Sequence, residues 1–251
     1  MKHWNLRAQY WLHQYNLLLI PQAFPDFCAY SLCPPTEEDA HKGVSSLWRK
    51  HLHPHVQKLT ELSKVRIAGT EVNTAGRPTC FLSVYLPTCA GCTDDFKEQL
   101  DYIDACLGRL SLDDNVIIMG DLNADSGSEG GPLSPTIVNK QGRILLRYLK
   151  RWDYISVHLY DASVSSPKLV THTYCSDAHT SLSTIDHILT PKHLPSHFSN
   201  SRVEEEDPLN LSDHQPLLSN FKCNLQLLLQ DSAAKQGSDA SDKQPKPNWG
   251  N

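Results

Sequence analysis

The chain has 251 residues, 39% of them hydrophobic, and a formal charge of −5: enough apolar content for one large domain, and no global basic field that would advertise nucleic acid. Carboxylates gathered around a metal would add to that charge and could mask a local basic groove, so charge does not decide the partner. No stretch approaches the ~20 apolar residues of a membrane span, Leu17–Ile20 is too short for a signal peptide, and neither thirteen scattered histidines nor eight cysteines with one Cys89-Ala-Gly-Cys92 spacing makes a zinc or disulfide framework.

In chain order, Pro21–Ala40 carries Pro21, Pro25, Pro34, Pro35 and Asp39 and reads as loop. Val44–Arg49, Val65–Val72 and Thr79–Leu86 read as strands, the last closed by Pro87. Thr93–Leu110 is the clearest helix. Thr93 can cap it, Asp94 and Asp95 sit at its positive end, and Phe96, Leu100, Ile103, Leu107 and Leu110 recur at spacings of four, three, four and three as a core stripe.

The remaining elements centre on Asn115–Asp125. Val116–Met119 is a buried-strand run that Gly120 ends, and Asp121 and Asn123 would share one face if the backbone stays extended. Such a pair can hold a water and a phosphate oxygen; the same residues also suit an ordinary turn after a strand. Ser126–Pro135 holds three glycines and two prolines and reads as loop, and Lys140–Arg151 reads as a helix whose Arg143, Arg147, Lys150 and Arg151 either solvate it or meet a phosphate backbone. Val170–Tyr174 and Thr184–Leu189 read as adjacent strands, Pro191–Asn210 as irregular, and Pro216–Phe221 as a last strand. From Gln230 onward the composition is too polar to offset ordering entropy, so residues 230–251 are expected to be a disordered tail after a domain spanning 1–229.

Three segments carry chemistry in order over about a hundred residues: Gly120-Asp-Leu-Asn123, Ile185-Asp-His-Ile-Leu189 and Ser212-Asp-His-Gln-Pro216. Together they resemble the endonuclease/exonuclease/phosphatase superfamily, to which deoxyribonuclease I and the abasic-site endonucleases belong. Gly43-Val-Ser-Ser-Leu-Trp-Arg-Lys50, Ser83-Val-Tyr-Leu-Pro87 and Ser183-Thr-Ile-Asp186 look most like the endonuclease domain of LINE-type retrotransposons, over roughly Gln9 to Lys222. The resemblance implies a two-sheet α/β sandwich of the deoxyribonuclease I type, truncated at the N-terminus so that the family's first strand is missing.

It also implies roles. Asp213 would bind Mg²⁺, or Mn²⁺; His214 would contact the phosphate or transfer a proton; Asp186 would fix the tautomer of His214; Asp121 would activate the attacking water, Asn123 would fix Asp121 or the phosphate, and Tyr85 would hydrogen-bond the scissile phosphate. His187 and Asp125 are expected bystanders, since neighbours on a strand point the other way. One departure matters: Ala8-Gln-Tyr-Trp-Leu12 matches a segment whose second residue in the family is a metal-binding Glu, so Gln9 stands at a metal position without its negative charge.

The leading expectation is a Mg²⁺-dependent phosphodiester hydrolase, a DNA endonuclease derived from a retrotransposon. The alternatives are a catalytically impaired remnant that at most binds nucleic acid, and a phosphoesterase on lipid or small-molecule headgroups. A soluble protein of a reducing intracellular compartment is expected, nuclear if it acts on chromosomal DNA.

Overall fold

Val116 and Ile118 pack on one side of the strand Asn115–Asp121 while Ile117 and Met119 pack on the other, and all four are buried. A strand covered on both faces belongs in the middle of a layered structure. The structure, a computed structural model, describes residues 7–10, 20–33, 43–75, 77–88, 93–110, 115–127, 138–160, 172–176, 182–204 and 212–225. Its strands are β1 (Arg7–Tyr10), β2 (Phe27–Leu32), β3 (Val44–Arg49), β4 (Val56–Lys64), β5 (Ile67–Val72), β6 (Thr79–Tyr85), β7 (Asn115–Asp121), β8 (Tyr154–Ser156), β9 (Tyr174–Cys175), β10 (Leu182–Ser183), β11 (Asp186–Pro191), β12 (Phe198–Val203) and β13 (Leu217–Phe221). The two long helices are α1 (Thr93–Arg109) and α2 (Lys140–Trp152).

Among the described residues a six-stranded sheet runs β4-β5-β6-β7-β11-β8, antiparallel except for the β6–β7 pair. That parallel pair needs a crossover, which α1 supplies. On the outer face Leu82, Val84, Val116 and Ile118 meet Phe96, Leu100 and Ile103 of α1 and Leu145 of α2. Each such side chain contributes about 1.5–3 kcal/mol by leaving water, which holds the helices on the sheet. On the inner face the sheet β1-β3-β2 packs through Trp48, and the pair β12–β13 through Phe198 and Phe221, onto Phe81 and Met119. Ser46 of β3 and Ser83 of β6 share a buried hydrogen bond of 2.8 Å between the two sheets. The expected α/β sandwich of two facing sheets with helices outside is what the chain forms.

Several elements differ from the sequence reading. β2 lies inside the expected loop: its prolines flank the strand, and pairing along β3 satisfies its backbone. The expected strand Val65–Val72 begins at Ile67, after a turn that joins it to the unanticipated β4. The buried residues of β4, Val56, Leu59 and Leu62, fall three apart because a register shift between Leu59 and Lys64 breaks strand alternation. β12 replaces part of the irregular stretch; it too has a register shift, between Ser199 and Arg202, that hides its period. Thr184–Leu189 becomes β11, starting at Asp186, and β9 pairs with the short β10 and not with β11. In α1 Cys106 joins the buried stripe, while Leu107 and Leu110 are only half-buried.

Cys28, Cys33, Cys80, Cys106, Cys175 and Cys223 are free thiols, while Cys89 and Cys92, most of the Ser126–Pro135 loop and the 230–251 tail lie outside the described residues. Among the described residues no helix is long and apolar enough to cross a membrane.

Behind β11, His187 and His158 are buried with ring centroids 5.6 Å apart. His187 Nε2 lies 2.8 Å from the Ala124 carbonyl and so donates, leaving its Nδ1 to accept from Ser156 Oγ at 3.0 Å. The same hydroxyl then accepts from Nδ1 of His158 at 3.2 Å. Burial holds both imidazoles below their ordinary value of 6.5, and for His158 the neighbouring His187 adds to it. The unfolded chain therefore binds protons that the fold refuses. Stability is intact above pH 6.5 and is lost as pH falls below it, by about 1.4 kcal/mol per pH unit for each refused proton. Denaturant titrations between pH 7 and 5 should show a shallower acid loss in His158→Leu than in wild type; equal slopes would mean His158 is not held neutral.

Candidate active site

The ends of three neighbouring strands carry the site. In the β6–β7 ladder Tyr85 stands opposite Asp121, and in the β7–β11 ladder Asp121 stands opposite Asp186, so the three residues form one row across the sheet. Gly120 permits this. Its φ of +140° suits glycine, and a side chain there would put a Cβ 2.0 Å from the Val84 carbonyl oxygen of the adjoining strand.

Asp121 and Asn123 do meet, but not by strand alternation. Asn123 has a left-handed φ of 48°, so the chain turns after β7, and the turn returns the Asn123 N–H to Asp121 Oδ1 at 2.8 Å. The Asn123 amide also donates to Asp121 Oδ2 at 3.2 Å and to the Leu86 carbonyl at 2.8 Å. Asn123 therefore orients the carboxylate from two sides.

His214 arrives from elsewhere in the chain. The Thr173 hydroxyl accepts the Ile185 and Asp186 N–H groups at 3.1 and 3.0 Å, and the Thr173 carbonyl accepts the Gln215 N–H at 2.7 Å. Cys175 N–H donates to the Asp213 carbonyl at 2.9 Å, completing a ladder that lays 213–215 against 173–175. His214 Nδ1 consequently lies 2.8 Å from Asp186 Oδ2, and its Nε2 lies 4.0 Å from Asp121 Oδ2. Tyr174 packs its ring edgewise on the imidazole, with centroids 5.2 Å apart.

The charges follow from this packing. Burial opposes a charged imidazole, but the hydrogen bond and charge of Asp186, with Asp121 and Asp213 behind them, outweigh it and push His214 up to about 9. Asp121 is pushed up to about 8, first by burial and then by repulsion from Asp186, against the pull of His214 and of the Asn123 N–H. Burial, with Asp121 and Asp213 nearby, raises Tyr85 above its usual 10, so its phenol stays a donor at neutral pH. The cluster can thus offer a cationic imidazole, an acidic hydroxyl and a carboxylate with near-neutral proton affinity to one reacting group.

Of the expected site residues, the structure brings Tyr85, Asp121, Asn123, Asp186, Asp213 and His214 together. For Gln9 the backbone lies in β1 opposite Ser45, with β1 against β6 and β7, and its side chain lies outside what the structure describes. His187 and Asp125 point away from the cluster, yet they brace it: His187 holds the Ala124 carbonyl, and Asp125 accepts from Gly127 at 3.1 Å and Thr184 at 3.2 Å.

Sequence reasoning missed Thr173, Tyr174, Arg66 and Asn139. Arg66 sets its guanidinium 5.3 Å from the Tyr85 ring centroid. Asn139 caps α2 by accepting from Gly142 at 2.6 Å and also accepts the Asp125 N–H at 3.1 Å, tying the helix to the loop after β7. An Asn directly before the helix start was a readable capping signal for Asn139; the other three show none without the fold.

The family described as Endonuclease-reverse transcriptase matches residues 79–218, more than half of the chain and every gathered site residue. No curated protein matches the sequence. Among solved structures, the endonuclease domain of TRAS1, a telomere-specific non-LTR retrotransposon, is 18% identical over 80% of this chain and 81% of that one, with a TM-score of 0.61. The AP endonuclease LMAP from Leishmania major is 11% identical over 87% and 78% of the two chains, with a TM-score of 0.64. The 3'-5' exonuclease NExo from Neisseria meningitidis is 16% identical over 86% and 88%, with a TM-score of 0.55. The sequence match and the sandwich that carries it establish that this chain belongs to the Endonuclease-reverse transcriptase family, within the endonuclease/exonuclease/phosphatase superfamily.

Proposed function

We propose that the chain is a Mg²⁺-dependent DNA endonuclease of retrotransposon origin, with residues 1–229 as the nuclease unit and 230–251 as a tail outside it. The observation that carries this is the Asp186–His214 pair at 2.8 Å, facing the Asn123-held carboxylate of Asp121 at the ends of adjoining strands. Asp121 would orient the attacking water and take its proton. His214, cationic through Asp186, would neutralise charge on the phosphate, and Tyr85 would donate to a phosphate oxygen. The reading places the protein in the nucleus, with chromosomal DNA as its substrate.

The donor chemistry suits a hard cation, because Asp121, Asp186 and Asp213 crowd one imidazole and burial and mutual repulsion raise Asp121. Among the described residues no three His, Cys, Asp or Glu side chains converge into a complete shell. Mg²⁺ commonly takes one or two carboxylates and fills its shell with water and phosphate oxygens, so Asp213 with Gln9 would suffice to hold it. Bound there, it would polarise the phosphate and the leaving oxygen.

Supercoiled plasmid incubated with Mg²⁺ should convert to open circles, and EDTA should stop the conversion. Failure to nick with either Mg²⁺ or Mn²⁺ would sink the reading. A weakly active remnant is the second reading, favoured by Gln9 standing where the resemblance places a Glu. One missing carboxylate costs on the order of 1–4 kcal/mol of attraction to the ion, roughly tenfold to several hundredfold in affinity. Gln9→Glu should therefore lower the Mg²⁺ concentration needed for half-maximal nicking; an unchanged requirement in a folded variant removes Gln9 from the metal site.

A further inference from the structure

The six-stranded sheet has a second pole. Tyr85 and Asp121 end β6 and β7, whereas Thr79 and Asn115 begin them, about 20 Å away at the usual strand rise. At that far end lies a cavity of about 890 Å³, between the start of these strands and the end of β13. Its described lining carries Arg77, Lys222, His55 and His197 and no Asp or Glu, in a chain whose formal charge is −5.

The floor is polar as well. Thr79 is 1% exposed, and its hydroxyl has no hydrogen-bond partner among the described residues. A buried hydroxyl without a partner costs about 1–3 kcal/mol, which a bound acceptor would relieve. The amides of Asn115 and Asn220 line the same space, and the Phe221 and His197 rings, 6.0 Å apart and tilted by 30°, give it an apolar wall. The cavity lies in the usual range for small-molecule sites and far exceeds the volume of one phosphate ion. Cations without carboxylates select an anion, the hydroxyl and amides add directional bonds, and the rings leave room for a flat base.

We propose that this cavity is a binding site for a small phosphorylated ligand of nucleotide size, separate from the catalytic cluster. Arg77 and Lys222 hold the phosphate, Thr79 and the asparagines hydrogen-bond the ligand, and the Phe221 and His197 rings flank its base. The proposal does not depend on the nuclease reading, because the two sites sit at opposite ends of the sheet.

Calorimetric titration of the full chain in EDTA tests it, with adenosine 5′-monophosphate, inorganic phosphate and adenosine as probes. Saturable one-to-one binding of the monophosphate is expected, with adenosine at least about tenfold weaker, on the scale of a lost charge-assisted contact. The double variant Arg77→Gln/Lys222→Gln should weaken the monophosphate at least about tenfold while nicking plasmid like wild type. Inorganic phosphate binding as tightly as the nucleotide would keep the site and identify free phosphate as its ligand. In wild-type ¹⁵N–¹H spectra the monophosphate should shift the Asn115 and Asn220 amides, a readout independent of any variant. No saturable binding, binding indifferent to both substitutions, shifts confined to Asp121 and His214, or binding of an oligonucleotide alone would each overturn the proposal.

Discussion

Replacing His214 with alanine is expected to lower plasmid nicking by about 10² or more, the usual scale for a group that moves a proton or neutralises developing charge. The fold should survive, because His214 sits in a short segment held by backbone bonds from Thr173 and to Cys175. Asp186 acts through His214: its carboxylate accepts from Nδ1 at 2.8 Å and sustains the imidazolium. Asp186→Asn should therefore cost less than His214→Ala, and the double variant should nick no more slowly than His214→Ala alone. Additive losses would mean that Asp186 contacts the substrate or metal directly. Wild-type nicking in His214→Ala, with an unchanged melting temperature, would remove the mechanism.

The second large effect is structural. Gly120→Ala should lose at least about 3 kcal/mol, since a left-half φ is strained for alanine and the parallel neighbour leaves no room. Its Cβ would sit 2.0 Å from the Val84 carbonyl oxygen, which is itself part of the β6–β7 ladder and cannot swing aside as a side chain would. For a chain of this size that loss lowers the melting temperature by about 6–12 °C. Because Asp121 is the next residue, nicking should fall as well. Gly108→Ala is the control: nothing lies within 4 Å of a Cβ there, it is inside α1, and the change should stabilise by about 0.5–1 kcal/mol. A Gly120→Ala protein that melts with wild type would show that β6 and β7 are less tightly apposed than described.

What was legible in the chain was local. The run Val116–Met119, the stripe of α1 and the three Asp-bearing segments depend on residue type and short spacings, so they could be read directly. β2, β4 and β12 were hidden because their evidence is a partner strand: pairing satisfies β2 between its prolines, and register shifts erase alternation in β4 and β12.

The site divides in the same way. The sequence by itself determined which groups carry chemistry, the carboxylates of Asp121, Asp186 and Asp213, the imidazole of His214 and the phenol of Tyr85, because reactivity belongs to the side chain. Only the tertiary structure decided that they act together. Register across β6, β7 and β11 aligns Tyr85, Asp121 and Asp186, the turn at Asn123 returns an N–H to Asp121, and Thr173 clamps the segment that carries His214. The proton affinities of Asp121 and His214 were likewise unreadable, since they come from burial and from charges brought close by chain segments up to about a hundred residues apart.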